Sequence, residues 1–554
     1  MDYQYYDDEA DYADEEDGLG AGGGGHANAY IDHEDFEQLR GHEYSDDNYG
    51  SVMDRLLDSY EHCILPSLTQ VAGYIVPLLL GCLLCRLLSA VYARRARLVA
   101  SASSSWQEAN SMKLAPLHLI NALCGAGILY ATLGQRMLIL QLLTGISYAL
   151  LQLVRLGKGR RPAVALAVLS IGSQFIYELA IWQKRDDWPQ LRGLQMVTNM
   201  KVISLAFDLT ATGAAGLHMP NIVAYFGYIL HPATCALGPW LSYARYLEVL
   251  HSKSQLRRNL CQMLLNVLLS LVALLVSNCI APTLSELNAP AEPLGAHQGG
   301  WSHWLLMYTG ALSVRTSHYF VSLLSQAQLA AVGQRLDVGA SQGLLGDLVV
   351  RPWRIEWPHS LSALVRCWNI PMHEWLKRYV YATSKQEQLQ TQGHAQTQTQ
   401  TQAQTHSRHS TMVAVFCTYI VSSLLHGMDF RIYLVLLSLA TFAEGETMLR
   451  RHLATLCNAC VTANPCPGAE RCRYAHCPRR LGWRSWTAWL VRLINLGFSL
   501  LAIAHLAYLG VVLLNDTLLG DSEHELPFMY HWSAAGYLSH YVGIGMFVLY
   551  MFLS

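Results

Sequence analysis

Long apolar runs alternate with short polar linkers along most of the chain. A run of about 18 or more apolar residues is long enough to cross a hydrocarbon core roughly 30 Å thick. The pattern predicts spans near 67–92, 115–133, 137–154, 162–182, 220–246, 260–281, 303–333, 412–425, 430–448, 487–514 and 534–553. About eleven transmembrane helices are therefore expected in an all-α polytopic membrane protein. The stretch 412–425 is short for a span. The run 195–209, QMVTNMKVISLAFDL, carries Lys201 and Asp208; counting it as a span puts the later basic loops on the wrong side, so a re-entrant or interfacial segment is expected there.

Composition agrees with the pattern. Of the 554 residues 52% are hydrophobic and only 14% are charged, against roughly 25% charged in an average soluble domain. The net charge of −2 conceals two unlike parts. Residues 1–60 hold 18 acidic residues with only Arg40 and Arg55, which leaves 22 acidic and 36 basic residues in the remainder. The division is thus an acidic tail, 1–60, expected to be disordered because it is too poor in apolar residues to fold alone, and a membrane-embedded domain, 61–554. The tail has no basic and apolar signal-peptide pattern, so the first span is expected to serve as the targeting signal. An acidic soluble globule and a small disulfide scaffold are excluded, and the scatter of basic residues argues against a nucleic-acid partner.

Short Lys/Arg-rich loops mark the cytoplasmic side of a membrane protein. They occur at Arg94, Arg95 and Arg97, at 155–161, at 253–258, across 351–385 and at Arg450, Arg451, Arg471, Arg473, Arg479, Arg480 and Arg484. Linkers 282–300 and 515–530 are nearly free of basic residues and belong on the opposite side, where Asn515-Asp516-Thr517 forms a glycosylation sequon very close to the membrane. Residues 386–410 are a Gln-rich low-complexity insertion in a cytoplasmic loop.

Nine of the 14 cysteines are dispersed, most in or beside apolar runs, where a thiol acts as a small hydrophobe. The other five, Cys457, Cys460, Cys466, Cys472 and Cys477, crowd into the basic loop 450–485 with His476. That composition permits a structural zinc site or S-acylation. The x5, x5 and x4 spacings are irregular for zinc, and no metal is assigned to the functional site.

Ionisable residues at membrane depth usually face a bundle interior or wet cavity. Glu178, Lys201, Asp208, Arg315, His318, His426, Glu444, Glu446 and His505 are the candidates. Glu444 and Glu446, near a cytoplasmic end, can snorkel or pair with Arg450; Arg315 and His318 can satisfy one another or backbone carbonyls; His505 reads as a hydrogen-bonded interhelical histidine.

His426 has distinctive surroundings. It precedes Gly427 between two apolar runs, and Ser422 and Tyr419, four and seven residues earlier, share its helix face. Upstream, RCWNIPMHEWLKRYVY at 366–381 places Trp368 and Asn369 before Pro371 and an amphipathic run that reads as an interfacial helix. An Asn-x-Pro followed 57 residues later by LLHG resembles the membrane-bound O-acyltransferase family, whose WN-x-P…LLHG pattern sits on a multi-helix bundle around a through-membrane cavity. The Gln-rich insertion accounts for most of the excess spacing.

The strings CWNIPMHEWLKRYVY, TYIVSSLLHGMDFRIYLVLLSLATF, LINLGFSLLAIAHLAYLG, LGPWLSYARYL and SHYFVSLLS look like those of the family's Wnt-acylating branch, over roughly 60–554. The acidic tail and the Gln-rich insertion lie outside that resemblance. It implies transfer of a palmitoleoyl group from acyl-CoA, a co-substrate and not a cofactor, to a serine of Wnt-family secreted proteins in the endoplasmic reticulum membrane. His426 is then the general base and Asn369 the group that stabilises the oxyanion or positions the donor. Trp368, Tyr419 and Ser422 are substrate-binding candidates. Hedgehog and ghrelin acyltransferases would share the His/Asn pair but take other acceptors; a polytopic transporter should show internal repeats, and none is evident.

Overall fold

In a computed structural model the described residues are 60–97, 114–157, 159–181, 188–211, 218–251, 255–287, 301–333, 349–385, 400–514 and 529–553. The acidic tail, most of the Gln-rich insertion and the Asn515 sequon lie outside them. The longer helices are α1 (Leu65–Arg97), α2 (Ala115–Leu133), α3 (Met137–Leu156), α4 (Arg161–Ile181), α5 (Trp188–Thr210), α6 (Ile222–Ile229), α7 (Tyr243–His251), α8 (Leu256–Leu275), α9 (Trp301–Val332), α10 (Leu361–Trp368), α11 (Ile370–Leu376), α12 (Gln400–Leu425), α13 (Phe430–Leu456), α14 (Trp486–Gly510) and α15 (Leu538–Leu553). Among the described residues the only β-pairing is an isolated bridge between Ala459 and His476.

Among the described residues six helical stretches are long and apolar enough to cross a membrane: Tyr60–Tyr92, Ala115–Leu156, Arg161–Ala180, Leu256–Ser285, Phe430–Leu456 and Trp486–Leu513. Their outer faces are apolar, with Leu142, Ile176 and Leu264 each more than 60% exposed. Polar side chains are buried instead, among them Gln174, Glu178, Asn199, Lys201, Asn266 and Arg315. Apolar outside and polar inside is the arrangement expected of a bundle whose solvent is lipid. The chain is a multi-span, all-helical membrane protein.

Two of the expected spans differ. Residues 220–246 do not form a span: α6 ends at Ile229, the chain turns through His231–Trp240, and α7 restarts at Tyr243. Lys201 is responsible for much of this. Its ammonium donates to the carbonyls of Tyr228 (3.3 Å) and Ile229 (2.8 Å) and to the Thr234 hydroxyl (2.8 Å), serving backbone acceptors left open at the end of α6. Residues 195–209, expected to be re-entrant or interfacial, lie within the unbroken 23-residue α5, which is not among the six stretches apolar enough to cross. The short run 412–425 is the apolar end of the 26-residue α12, which begins inside the Gln-rich stretch.

Cys63 and Cys279, read from sequence as dispersed thiols, form a disulfide. It joins the start of α1 to the end of the helical stretch that continues α8. The opposite ends of these two segments carry Arg94, Arg95 and Arg97 and Arg257 and Arg258. A disulfide belongs to an oxidising compartment and basic loops to the cytoplasm, so the two criteria orient both helices alike.

Candidate active site

Helix α12 closes at Leu425, and the turn that follows carries His426. The amides of His426 and Gly427 bond back to the carbonyls of Ser423 (3.1 Å) and Leu424 (3.2 Å). Gly427 has φ +75°, the left-handed conformation that ends many helices and that side chains with a Cβ resist. A Cβ there would also meet Glu178 Oε2 at 2.5 Å and Gln174 Nε2 at 3.2 Å. The turn is held from α4 and α5. Glu178 accepts from the Met428 amide (2.8 Å) and pairs with Arg192 (2.8 Å), which reaches Asp429 (3.6 Å). Gln174 donates to the Leu425 carbonyl (3.2 Å) and accepts from Asn199 (2.9 Å), which accepts from Ser170 (2.9 Å). Asp429 caps α13 through the amides of Arg431 and Ile432, and the Tyr433 hydroxyl donates to the Gly427 carbonyl. His426 therefore emerges from a backbone fixed on both sides.

Asn369 ends α10 and starts α11. Its side-chain oxygen accepts from the Met372 amide at 3.1 Å, a helix N-cap, with Pro371 in the first turn where a missing N–H costs nothing. The cap fixes the side-chain rotamer and commits Oδ1, and the Nδ2 amide makes no hydrogen bond among the described residues. The sequence rightly put Asn369 at a helix start. One face of the amphipathic run beyond it packs into the protein: Trp375 and Tyr379 are under 5% exposed, and Trp375 donates to the Met200 carbonyl of α5 (2.9 Å), while Glu374, Lys377 and Arg378 on the other face are exposed. Residues Lys377–Tyr381 form a π-helical turn, where Tyr379 and Arg378 hold Asp208 at 2.9–3.1 Å.

His318, on α9, links the two motifs. Its ring stacks on Trp368 with centroids 5.0 Å apart. Its Nε2 lies 3.3 Å from the Trp368 carbonyl and 3.4 Å from the Ser322 hydroxyl. It lies within electrostatic range of His426. The sequence named His318 as an intramembrane candidate to be satisfied by Arg315 or by backbone carbonyls, and the Trp368 carbonyl is its neighbour. Arg315 instead makes a bidentate pair with Glu356 (3.0 and 2.9 Å), joined by the Tyr319 hydroxyl (2.7 Å). Trp368, Asn369, His318 and His426 thus fall in one neighbourhood. Ser422 is buried on α12 and Tyr419 is within electrostatic range of Arg366 and Glu444. No hydrogen bond joins either side chain to the His426 imidazole among the described residues.

Two other expectations separate. Glu446 pairs with Arg450 (2.7 Å) as anticipated. His505 is buried, but neither ring nitrogen has a hydrogen-bond partner among the described residues; the ring packs on Phe442 at 4.8 Å. The hydrogen-bonded histidine of that region is His540, held by Ser438 (3.0 Å) and Tyr508 (2.7 Å).

The chain is 50% identical over 571 residues, covering all of both chains, to the protein-serine O-palmitoleoyltransferase porcupine of Drosophila melanogaster. It is 30% identical to the Homo sapiens protein of the same name, over 89% of this chain and 96% of that one, and 30% identical to that of Anopheles gambiae, over 78% and 84%. The fly alignment runs through the acidic tail and the Gln-rich segment, further than the motifs reach. The model of the membrane-bound O-acyltransferase family matches residues 128–482. Matched over more than half its length, and carrying the Asn and His motifs inside that match, the chain belongs to the membrane-bound O-acyltransferase family.

Proposed function

We propose that this protein transfers a palmitoleoyl group from palmitoleoyl-CoA to a serine hydroxyl of Wnt-family secreted proteins, in the endoplasmic reticulum membrane. The observation that carries the reading is the gathering of Asn369 and His426 around His318 in a chain that aligns end to end with the fly O-palmitoleoyltransferase. About eleven transmembrane segments around a through-membrane cavity would let the donor and the acceptor enter from opposite sides. Cytoplasmic arginines would meet the anionic CoA, and His426, at the end of α12 away from the Gln-rich stretch where that helix begins, would face the side where a secretory acceptor arrives.

The chemistry is direct transfer in a ternary complex. The serine oxygen attacks the thioester carbonyl while the neutral His426 imidazole takes the hydroxyl proton. A base so placed contributes about 10²–10⁴ in rate. Negative charge then builds on the carbonyl oxygen, and Asn369 Nδ2, its orientation set by the cap, donates to it; loss of one such donor costs about 10²–10³. The tetrahedral intermediate collapses with release of the CoA thiolate, which recovers the proton from the imidazolium, giving the serine ester and CoA–SH. Trp368 and His318 wall the donor side, and Ser422 and Tyr419 shape the face by which the acceptor approaches.

Purified protein with palmitoleoyl-CoA and a Wnt hairpin peptide should give a mass increase of one palmitoleoyl group on the serine. The serine-to-alanine peptide should give none. Acylation of both peptides alike, or of neither by folded, monodisperse protein, contradicts the proposal.

A further inference from the structure

The loop joining α13 to α14 has too little apolar substance to hold its own shape. Between Cys457 and Cys477 its regular structure is one isolated bridge, and the buried cluster beneath it consists of Ala454, Ala459, Val461, Tyr474, Val491 and three cysteines. Segments this poor in core need a covalent or metal staple. We infer that Cys460, Cys466, Cys472 and Cys477 form a structural tetrathiolate zinc site that clasps the cytoplasmic side of the catalytic helices.

The four sulfurs all lie within 4.8 Å of one another, with Cys466 and Cys477 at 3.7 Å. Thiolates held tetrahedrally at roughly 2.3 Å from zinc stand about 3.8 Å apart, and the space enclosed has room for one ion. None of the four is disulfide-bonded. Cys460, Cys472 and Cys477 are buried. Backbone N–H groups turn toward the sulfurs, those of Arg479 and Arg480 toward Cys477 and that of Tyr474 toward Cys472, the outer-sphere donors that steady metal thiolates. Cys457, three residues before Cys460, is exposed and outside the group, so the C-x2-C spacing of this pair does not mark two ligands.

Redox location agrees. Residues 450–484 contain seven Arg and a single acidic residue, Glu470, the signature of a cytoplasmic loop, where thiols stay reduced. The Cys63–Cys279 disulfide belongs to the helix ends away from basic loops. Binding exchanges four S–H protons for one Zn²⁺.

The clasp acts on the site through residues 461–464, which lie between the first two ligands. The Ala463 carbonyl accepts from the Ser360 hydroxyl (2.7 Å), Asn464 accepts from Arg366 (3.0 Å), and the Thr462 carbonyl lies 3.0 Å from His359 Nε2. Arg450 adds bonds to the Val461 and Thr462 carbonyls (2.7 and 3.1 Å). Ser360 caps α10 and Arg366 is in its last turn, directly ahead of Trp368 and Asn369. The catalytic part of the inference rests on the acyltransferase reading; the metal itself does not.

The test is elemental analysis of the full chain purified in detergent without added metal. About one zinc per chain is expected in the parent and in Cys457→Ser, and less than a fifth of that in Cys472→Ser. Stripping zinc from the parent with a chelator should lower its melting temperature and its acyl-transfer kcat at least tenfold, both restored by zinc. Less than a tenth of a zinc per chain in monodisperse parent protein, iron in its place, or disulfides among the four cysteines on mass mapping overturns the site. Unchanged kcat and melting temperature after zinc removal overturn the clasp. Zinc-replete parent protein that acylates no acceptor leaves the metal site standing and defeats the enzymatic reading instead.

Discussion

Replacing Gly427 by alanine should disable the enzyme without touching any group that contacts substrate. The position has φ +75°, and a Cβ would lie 2.5 Å from Glu178 Oε2, 3.2 Å from Gln174 Nε2 and 3.3 Å from the Arg192 side chain. The left-handed conformation alone costs an L-residue roughly 1–2 kcal/mol. Moving Glu178 aside weakens a charged hydrogen bond to the Met428 amide and its pair with Arg192, groups worth about 1.5–3 kcal/mol each when charged. The least costly response to a penalty of several kcal/mol is a displaced turn, and a displacement near 1 Å at a reacting group costs on the order of 10² in rate. The expected result is a fall of about a hundredfold in kcat for acyl transfer, with the KM for acyl-CoA within a few-fold of the parent. Gly145→Ala is the control. Gly145 lies within α3 with no atom near a prospective Cβ, and the change should be neutral or stabilising by about 0.5–1 kcal/mol. The assay is single-turnover transfer to a hairpin peptide followed by mass spectrometry, with melting temperatures measured in detergent. A Gly427→Ala protein with parental kcat would refute the claim that this turn aims His426.

Asn369→Asp keeps an oxygen to cap α11 but removes the amide donor, so kcat should fall about 10²–10³ with little change in melting temperature, whereas Asn369→Ala should also lose about 1 kcal/mol of stability with the cap; equal activity of the Asp variant and the parent in steady-state assays would dismiss the donor role. His318→Ala removes the ring stacked on Trp368, a contact of about 0.5–1.5 kcal/mol, and should lower kcat roughly tenfold while membrane insertion, followed by protease protection, is unchanged. Cys63→Ser should abolish the mobility difference between reduced and non-reduced protein on gels and lower the melting temperature by several degrees, because a link across 216 residues of chain contributes about 2–5 kcal/mol; a gel mobility insensitive to reductant in the parent would mean that the bond does not form.

Which parts of this architecture could be read from the chain follows from the range of the interactions. Apolar length announced most of the helices because burial in lipid is a property of one segment at a time. The same measure misassigned 220–246, whose residues are as apolar as a span; the local warnings were Pro232, Gly238 and Pro239, and the decisive partner, Lys201, lies on another helix. Asn369 was legible as a helix start because Asn-x-Pro is a local capping signal. The support of His426 was not, since Gln174, Glu178, Arg192 and Asn199 lie more than 220 residues away in sequence and carry no motif of their own. Four cysteines at irregular spacing look unpromising on paper, yet a loop that doubles back through the Ala459–His476 bridge brings them together.

The most direct test of the central claim is the rate of palmitoleoyl transfer under single-turnover conditions for the parent, His426→Ala and Asn369→Asp proteins, each shown to be folded by its melting temperature. The account predicts a serine ester formed by the parent, about 10²–10⁴ slower formation with His426→Ala and about 10²–10³ slower with Asn369→Asp. Parental rates in both variants would contradict it.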